Sequence, residues 1–234
     1  PGGLVVDLGC GTGELTHILH DHCAAAETVG IDHSSAMLAE SSQHEGNGLR
    51  FEQREISEFT GAGLDLLFSN AALQWLPDHA ELLTRLAATL TNGGQLAVQM
   101  PANHDHPSHT LAHAVARETP HRTALDGYVR QDSVETPEWY ATLLTQLGFV
   151  EQHVRLQVYL HRLESASAVV EWVKGSLLTD YRKRMTQEQY EAYLAAYQER
   201  ILAELPNDRP FLLPFKRILL WARKSSSGAK LSDG

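Results

Sequence analysis

Three alternating glycines stand between a short apolar run and a helical pattern near the start of the chain. Gly9, Gly11 and Gly13 lack the Cβ atom that would keep a ligand away from the backbone. A loop that binds a dinucleotide has the spacing G-x-G-x-x-G, with its third glycine where the helix begins. Glu14 occupies that position here, and its carboxylate would repel a pyrophosphate. The loop therefore favours a nucleoside that carries no phosphate groups.

Two carboxylates flank the loop. Asp7 precedes the glycines, and Asp32 ends the next apolar run of the chain. A carboxylate at the tip of the second strand accepts hydrogen bonds from both hydroxyls of a ribose. We therefore predict a nucleoside site with Asp32 at the ribose. The alternative is a tight strand-to-helix turn that binds no ligand.

Histidines form a second concentration of reactive groups. His104, His106, His109 and His113 fall within ten positions, and the last two are four apart, which places them on one helical face. Zinc sites use such spacing, but neither a cysteine nor the motif H-E-x-x-H accompanies these residues. We therefore predict no metal and interpret the segment as a loop at a site entrance. The histidines of the first helix, His17, His20 and His22, are expected to be solvated.

Cations that could hold an acidic ligand are spread along the second half of the chain, and further candidate side chains follow the fourth strand. The candidates are Arg122, Arg130, Lys174, Arg182, Lys183, Arg184, Lys216 and Arg217, each of which could instead lie on a solvated face. Asn70, Gln74 and Trp75 follow the fourth strand. They belong at the carboxyl edge of the sheet, where open α/β folds bind ligands.

Periodicity indicates the elements that carry these residues. Strands are predicted at 4–8, 28–32, 49–54, 64–69 and 95–100, with helices at 14–22, after Ser34 or Ser35, and at 79–90. This alternation indicates a parallel sheet. The second half predicts helices at 108–118, 137–147, 166–178 and 187–205, and strands at 154–160 and 215–222.

Composition limits the classes of function. The 234 residues include 19 Lys and Arg against 29 Asp and Glu, a net charge of −10, which argues against a nucleic-acid scaffold. Only Cys10 and Cys23 are cysteines, so we expect a reducing, cytoplasmic location. No membrane span or signal peptide is evident. A strand beginning so close to Pro1 suggests that natural residues precede it, and residues 225–234 are expected to be a disordered tail.

The segment Asp7-x-Gly9-x-Gly11-x-Gly13 resembles motif I of the class I S-adenosylmethionine-dependent methyltransferases. The resemblance implies S-adenosylmethionine as cofactor, with Asp7 at its methionine end and Asp32 at its ribose. It places His33 and Met37 beside the adenine, and Glu55-Ile56 at the adenine amino group. The implied cofactor-binding residues are Asp7, Gly9, Cys10, Gly11, Gly13, Asp32, His33, Met37, Glu55, Ile56 and Asn70.

Further segments are similar to trans-aconitate methyltransferases, which methylate a carboxylate of a small tricarboxylate. They are residues 69–79, 99–103 with 107–109, 170–175 and 213–217, and the likeness extends over nearly all of the chain except the tail. This resemblance implies that Asn70, Gln74 and Trp75 position the reactants. The implied substrate-binding residues are Trp75, His109, Trp172, Lys174, Lys216 and Arg217.

The same resemblance implies an α/β fold. The expected architecture is a seven-stranded, Rossmann-like, mostly parallel sheet with helices on both faces and a helical cap inserted before the last strand. We expect one methyltransferase domain over residues 1–224, with cap elements at about 104–135 and 164–210.

The implied chemistry is methyl transfer to a carboxylate. A carboxyl group has a pKa near ~4, so the nucleophile is ionised at neutral pH and needs no strong general base. Three alternatives stay open: a methyltransferase for a carrier-bound acid, an S-adenosylmethionine-binding module without catalysis, and a metal-binding module. The expected partner is a small carboxylic acid, with no nucleic acid or membrane, and the chain is expected to be a monomer or a homodimer.

Overall fold

The computed structural model describes residues 2–226 and contains seven strands and nine α-helices within them. The strands are β1 (Leu4–Leu8), β2 (Glu27–Asp32), β3 (Leu49–Gln53), β4 (Leu64–Asn70), β5 (Leu90–Pro101), β6 (Phe149–Leu163) and β7 (Phe211–Lys224). The helices are α1 (Glu14–Cys23), α2 (Ser35–Ser41), α3 (His79–Ala88), α4 (Pro107–Arg117), α5 (His121–Ala124), α6 (Pro137–Gln146), α7 (Ser167–Lys174), α8 (Thr179–Arg184) and α9 (Gln187–Glu204). Short 3-10 turns lie at Ser42–His44, Ile56–Glu58 and Leu73–Trp75.

The strands form one sheet in the order β3-β2-β1-β4-β5-β7-β6, which confirms the predicted seven-stranded α/β fold. The pairs β3-β2, β2-β1, β1-β4 and β4-β5 are parallel. Strand β1 lies between β2 and β4, and its Val5, Val6 and Leu8 are buried, as expected of an inner strand of a parallel sheet. The strand order reverses at β1, and such a reversal is where open parallel sheets bind ligands.

Strand register brings the predicted site residues to one edge. Leu8 pairs with Ile31 and Asp32 with Gln53, while Asn70 pairs with Gln99. The carboxyl ends of β1, β2, β3 and β4 therefore lie side by side. The glycine loop and the turns after β2, β3 and β4 all leave the sheet at this edge.

The chain divides into two compact units. The sheet unit comprises residues 2–101, 133–157 and 218–226 of the described chain, and the helical unit comprises Ala102–Asp132 and Val158–Arg217. Residues 158–163 of β6 and 211–217 of β7 thus belong to the helical unit. Part of the predicted tail, residues 227–234, lies outside the described residues.

Tyrosines on α9 fix the position of α4 inside the helical unit. Tyr193 donates a hydrogen bond to the carbonyl of Ala112 at 2.9 Å, and Tyr197 donates to that of Ser108 at 2.9 Å. Both rings are fully buried, and burial raises the pKa of each phenol. The two donors are four residues apart, as are the two carbonyls, so the contacts repeat by one helical turn.

The buried face of α1 differs from the expectation. Thr16 and His20 are buried, whereas Leu15 and Ile18 are exposed. The prediction that His20 is solvated is wrong. Its ring bonds the Thr28 hydroxyl at 2.8 Å through Nδ1, and the Asn47 carbonyl at 3.1 Å through Nε2.

Other differences concern element lengths. The fifth and last strands are longer than predicted, and β6 extends from Phe149 to Leu163 with most of its side chains exposed on both faces. The predicted helix at 166–178 ends at Lys174, and α8 follows as a separate helix. Alternation of apolar residues identified β6 correctly, but it did not predict that both faces stay exposed.

Candidate active site

Backbone hydrogen bonds hold the glycine loop against the end of β2. The amides of Gly9 and Cys10 both donate to the carbonyl of Ile31, at 2.8 and 3.0 Å. The amide of Gly11 donates to Oδ2 of Asp32 at 2.9 Å. The loop and the acidic residue predicted to bind the same ligand are therefore joined directly.

The glycines of the loop have two different functions. A Cβ atom on Gly9 would lie 2.3 Å from the methyl of Ala72, and one on Gly13 would lie 2.6 Å from the Phe51 ring. Their φ angles, 80° and 79°, also belong to the left-handed region. Gly11, with φ 57°, has no atom within 4 Å of its Cβ position. Packing therefore explains Gly9 and Gly13, whereas Gly11 leaves open space beside its backbone.

The Asp32 carboxylate is oriented by the backbone on both oxygens. Besides the bond from Gly11, Oδ1 accepts from the Ser34 amide at 2.9 Å, and the ring of His33 lies 3.4 Å from Oδ1. The Asp32 side chain keeps 11% of its surface exposed. Each carboxylate oxygen has more than one lone pair, so each can accept a further hydroxyl donor.

Asp7 is buried beneath the loop. One of its oxygens accepts a 2.7 Å hydrogen bond from the Thr16 hydroxyl. The pKa of Asp7 is raised to about 6, chiefly by burial. The Thr16 bond lowers the pKa, the negative charge of Asp32 raises it, and the value of about 6 includes both effects. The bond ties β1 to α1, so Asp7 has a packing role in addition to the role that the resemblance implies.

Cys10, in the same loop, is a buried thiol. Burial raises its pKa to about 12, and the charges of Asp7 and Asp32 add to the shift. The thiol is therefore protonated at neutral pH and is a poor nucleophile.

The residues predicted to surround an adenine lie after β2 and β3. His33 and Met37 are exposed, and the Met37 amide donates to the Ser34 hydroxyl, which caps α2. Ile56 approaches the glycine loop, since its Cδ1 lies 3.6 Å from the Cβ position of Gly9. Glu55 is exposed at the start of the adjacent 3-10 turn.

A sharp turn follows β4 and carries three predicted positioning residues. Asn70 is exposed at the end of the strand, and Ala71, with φ 56°, donates its amide to the carbonyl of Gln99 at 2.9 Å. The Gln74 side-chain amide donates back to the Ala71 carbonyl at 2.7 Å. Trp75 keeps 49% of its surface exposed, which is a large apolar area at the ligand-binding edge.

Two of the predicted substrate cations form ion pairs inside the helical unit. Lys174 pairs with Glu171 one turn earlier at 2.6 Å. Lys216 pairs with Asp105, and this contact holds the pKa of the Asp105 carboxyl below its usual value. A polyacid would have to compete with these carboxylates for both lysines.

Arg217 contacts aromatic side chains of the helical unit. Its guanidinium lies over the ring of Phe215 at 5.2 Å and over that of Tyr159 at 5.8 Å. Trp172 contacts the same Phe215 ring at 6.1 Å and the His161 ring at 4.6 Å. Two predicted substrate residues, Trp172 and Arg217, thus belong to one cluster.

The histidines after β5 do not all lie in the predicted loop, because His109 and His113 belong to α4. His106 caps α4, and its Nδ1 accepts from the Ser108 amide at 3.1 Å. His109 bonds the Ser108 hydroxyl at 3.0 Å, and burial lowers the pKa of its ring to about 4. His113 bonds the Tyr181 hydroxyl at 2.7 Å. Among residues 2–226, no three side chains of His, Cys, Asp or Glu come together as a metal-binding group.

Comparison with known proteins decides the family. A family model described as "Methyltransferase domain" matches residues 1–148. The trans-aconitate 2-methyltransferase of Deinococcus radiodurans is 44% identical over 230 residues, covering 96% of this chain and 88% of that protein. The chain belongs to the trans-aconitate 2-methyltransferase family. It is therefore an S-adenosylmethionine-dependent methyltransferase, which confirms the predicted enzyme class and cofactor.

Solved structures agree with the fold. The YcgJ protein of Bacillus subtilis has a TM-score of 0.59 at 16% identity, covering 97% of this chain and 93% of that one. Phosphoethanolamine N-methyltransferase 2 of Haemonchus contortus, solved with S-adenosyl-L-methionine, has a TM-score of 0.53 at 14% identity. The match covers 96% of this chain and 49% of that longer protein.

The sheet unit fits the cofactor of this methyltransferase family. The space beside Gly11 is the cradle that a Cβ would fill, and Asp32 already has both oxygens oriented for hydroxyl donors. The Cys10 thiol of the loop is neutral, while the nearby Asp7 and Asp32 carboxylates supply negative potential. These features match a nucleoside with a positively charged sulfur.

Three residues that support the site were missed from the sequence. Ala72 packs against Gly9, and Arg85 donates to the carbonyls of Phe59 and Ile56 at 2.5 and 3.3 Å, which fixes the turn after β3. His79 contacts the turn after β4. Spacing could not have found them, because each acts through a partner that is distant in the chain or through the backbone.

Proposed function

We propose that this protein transfers the methyl group of S-adenosylmethionine to a carboxylate oxygen of trans-aconitate, giving a methyl ester. The observation that carries the choice of acid is the 44% identity to a trans-aconitate 2-methyltransferase over nearly the whole of both chains. The bonds from Gly11 and Ser34 to Asp32 support the cofactor site.

The proposal assigns cofactor binding to the edge of the sheet unit. Asp32 accepts the ribose hydroxyls, and the backbone of the glycine loop lies against the nucleoside. His33, Met37, Glu55 and Ile56 surround the adenine. The bound cofactor supplies an electrophilic methyl group on a sulfonium.

Asp7, Gly9, Cys10, Gly13 and Asn70 complete the cofactor set of the proposal. For Gly9 and Gly13, the contacts with Ala72 and Phe51 support a role in shaping the loop. Asp7 supports the methionine end through its negative potential and its bond to Thr16. Asn70 stands where β4 leaves the sheet beside that end.

The acid needs orientation rather than a base. Its nucleophilic carboxylate is ionised at neutral pH, so the rate depends on alignment and on the removal of water from the attacking oxygen. We assign that alignment to Asn70, Gln74 and Trp75. The exposed ring of Trp75 offers an apolar surface that can replace water.

A second set of proposed acid-binding residues belongs to the helical unit. Arg217 is the strongest of the cations, because a guanidinium fork matches a carboxylate and the rings of Phe215 and Tyr159 hold it in place. His109 acts as a neutral hydrogen-bonding group, since its pKa lies near 4. Trp172, Lys174 and Lys216 complete the proposed set.

A labelled-methyl assay tests the function. The protein is incubated with S-adenosylmethionine carrying a labelled methyl group and, separately, with trans-aconitate, cis-aconitate, citrate, succinate and malonate. We expect base-labile label on trans-aconitate with the highest kcat/KM. If only another acid is labelled, that acid and not trans-aconitate is the substrate. Cofactor binding without label on any acid would favour a non-catalytic module.

The location and assembly of the protein also belong to this proposal. No helix within residues 2–226 is long and apolar enough to cross a membrane. We propose a cytoplasmic enzyme, which the free thiols of Cys10 and Cys23 support. We propose that it works as a monomer or homodimer on a small acid, without nucleic acid.

A further inference from the structure

A buried histidine connects two parts of the sheet unit behind the turn that follows β4. His79 lies in the first turn of α3 and is only 4% exposed. Its Nε2 lies 3.0 Å from the carbonyl oxygen of Leu73, and its Nδ1 lies 2.5 Å from the hydroxyl of Tyr140 on α6. Leu73 is the first residue of the 3-10 turn that carries Gln74 and Trp75.

The partners fix the proton positions in this chain of hydrogen bonds. A carbonyl can only accept, so Nε2 of His79 carries the proton and donates to Leu73. Nδ1 then accepts from the Tyr140 hydroxyl, whose oxygen accepts the amide of Glu135 at 3.1 Å. Burial lowers the pKa of His79, which keeps the ring neutral as this pattern requires; Glu135 and Asp78 oppose the shift.

Two backbone hydrogen bonds shape the turn itself. The Trp75 amide bonds the Ala72 carbonyl at 3.2 Å, and the Leu76 amide bonds the Leu73 carbonyl at 3.0 Å. Both of these bonds lie within the turn and do not tie it to the rest of the unit. The buried Leu73 side chain and the bond from His79 do so.

We propose that His79, supported by Tyr140 and the Glu135 amide, is a positioning residue that holds the Leu73–Trp75 turn in the conformation that presents Gln74 and Trp75 to the acid. The inference rests on the proposed function, because it assumes that this turn contacts the acceptor. His79 itself touches neither reactant. Misplacement of a positioning group by about 1 Å lowers rates by as much as ~100-fold.

The chain provides a matched control in His20. That ring is 7% exposed, its Nδ1 bonds a hydroxyl, and its Nε2 bonds a backbone carbonyl, as in His79. Its partners Thr28 and Asn47 lie away from the turn in sequence and carry no proposed site residue. His20→Leu should therefore cost similar stability without changing how the acid is bound.

The experiment compares His79→Leu, His79→Gln, Tyr140→Phe and His20→Leu in the full chain. Active sites are counted by calorimetric titration with S-adenosylhomocysteine, so a loss of folded protein does not count as a loss of rate. We expect His79→Leu to lower kcat/KM for trans-aconitate by about 10- to 100-fold per active site, with cofactor affinity unchanged. His79→Gln keeps a donor that reaches Leu73 and should recover most of the loss, and Tyr140→Phe should be intermediate.

Amide hydrogen exchange gives a readout that does not depend on turnover. We expect His79→Leu to accelerate exchange in a peptide spanning residues 71–77, and His20→Leu to leave that peptide unchanged. If the wild type methylates no acid, the proposed function fails and with it the assignment of the turn to the acid, while the exchange result still decides whether His79 holds the turn. Equal exchange at 71–77 in wild type and His79→Leu would overturn the proposal, as would a kinetic loss in His20→Leu equal to that in His79→Leu.

Discussion

Replacement of Asp32 tests the ribose assignment most directly. In the structure the carboxylate already accepts the amides of Gly11 and Ser34, and each oxygen can accept one ribose hydroxyl as well. A hydrogen bond to a charged group contributes about 1.5–3 kcal/mol. Asp32→Ala loses two such bonds to the cofactor, or at least about 3 kcal/mol, and every ~1.4 kcal/mol is tenfold in affinity. We therefore expect the Kd for S-adenosylmethionine to rise by a factor on the order of 100 or more.

The substitution also removes two bonds to the loop, so a control must separate folding from binding. Asp65 provides it, because its Oδ2 accepts the amide of Leu4 at 2.9 Å at the other end of β1. Calorimetric titrations of Asp32→Ala, Asp32→Asn and Asp65→Ala are compared on protein shown to be folded by circular dichroism. Asp32→Asn keeps one acceptor oxygen and should lose about 10- to 100-fold. Cofactor affinity within threefold of wild type in Asp32→Ala would refute the assignment.

Three further predictions concern the loop and the helical unit. Gly9→Ala should lower the free energy of unfolding by at least about 2 kcal/mol in urea, because the new methyl clashes with Ala72. Gly11→Ala should lower the free energy of unfolding by only about 1 kcal/mol but weaken cofactor binding at least tenfold. Because the folded-state pKa of Asp7 is raised to about 6 from 3.8, the native state binds the proton more tightly. The stability of wild type relative to Asp7→Asn should therefore fall by roughly 2.5 kcal/mol between pH 4 and pH 7, and equal pH profiles would contradict this. Tyr197→Phe should lose about 1 kcal/mol of unfolding free energy with its bond to Ser108, and an unchanged urea midpoint would show that the bond contributes nothing.

The parts of the fold that the sequence predicted are those governed by local rules. The first two strands and the loop follow from apolar runs that end at a glycine or an acid, and the structure places Gly11 and Asp32 in direct contact. The parallel sheet and the identity of its ligand-binding edge followed once the alternation of strands and helices was recognised, whereas the strand order came from the structure alone. These features depend on residues that are neighbours in the chain, so their spacing carries the information.

The parts that the sequence missed depend on distant partners. On α1 the histidines were expected to be solvated, yet His20 is buried together with Thr16, because Thr28 and Asp7 satisfy their polar groups. The contact between His79 and Tyr140 joins positions 61 apart in the chain. No local pattern distinguishes a histidine with such a partner from a solvated one.

Ion pairs within the protein change which of the proposed cations should contribute most to the affinity for the acid. The resemblance implied Lys174, Lys216 and Arg217 alike, yet Glu171 and Asp105 hold the two lysines in ion pairs. Partly exposed pairs of this kind contribute at most about 1 kcal/mol, so a polyacid can displace the internal carboxylate, but each displacement reduces the net gain. The guanidinium of Arg217 lies over two ring faces, and its planar fork can form two parallel hydrogen bonds to one carboxylate, which a lysine ammonium cannot do. The loss of affinity for the acid should therefore be larger in Arg217→Ala than in Lys174→Ala or Lys216→Ala, even though the net charge changes equally in all three. A steady-state comparison of KM for trans-aconitate that ranks either lysine above Arg217 would contradict this reasoning.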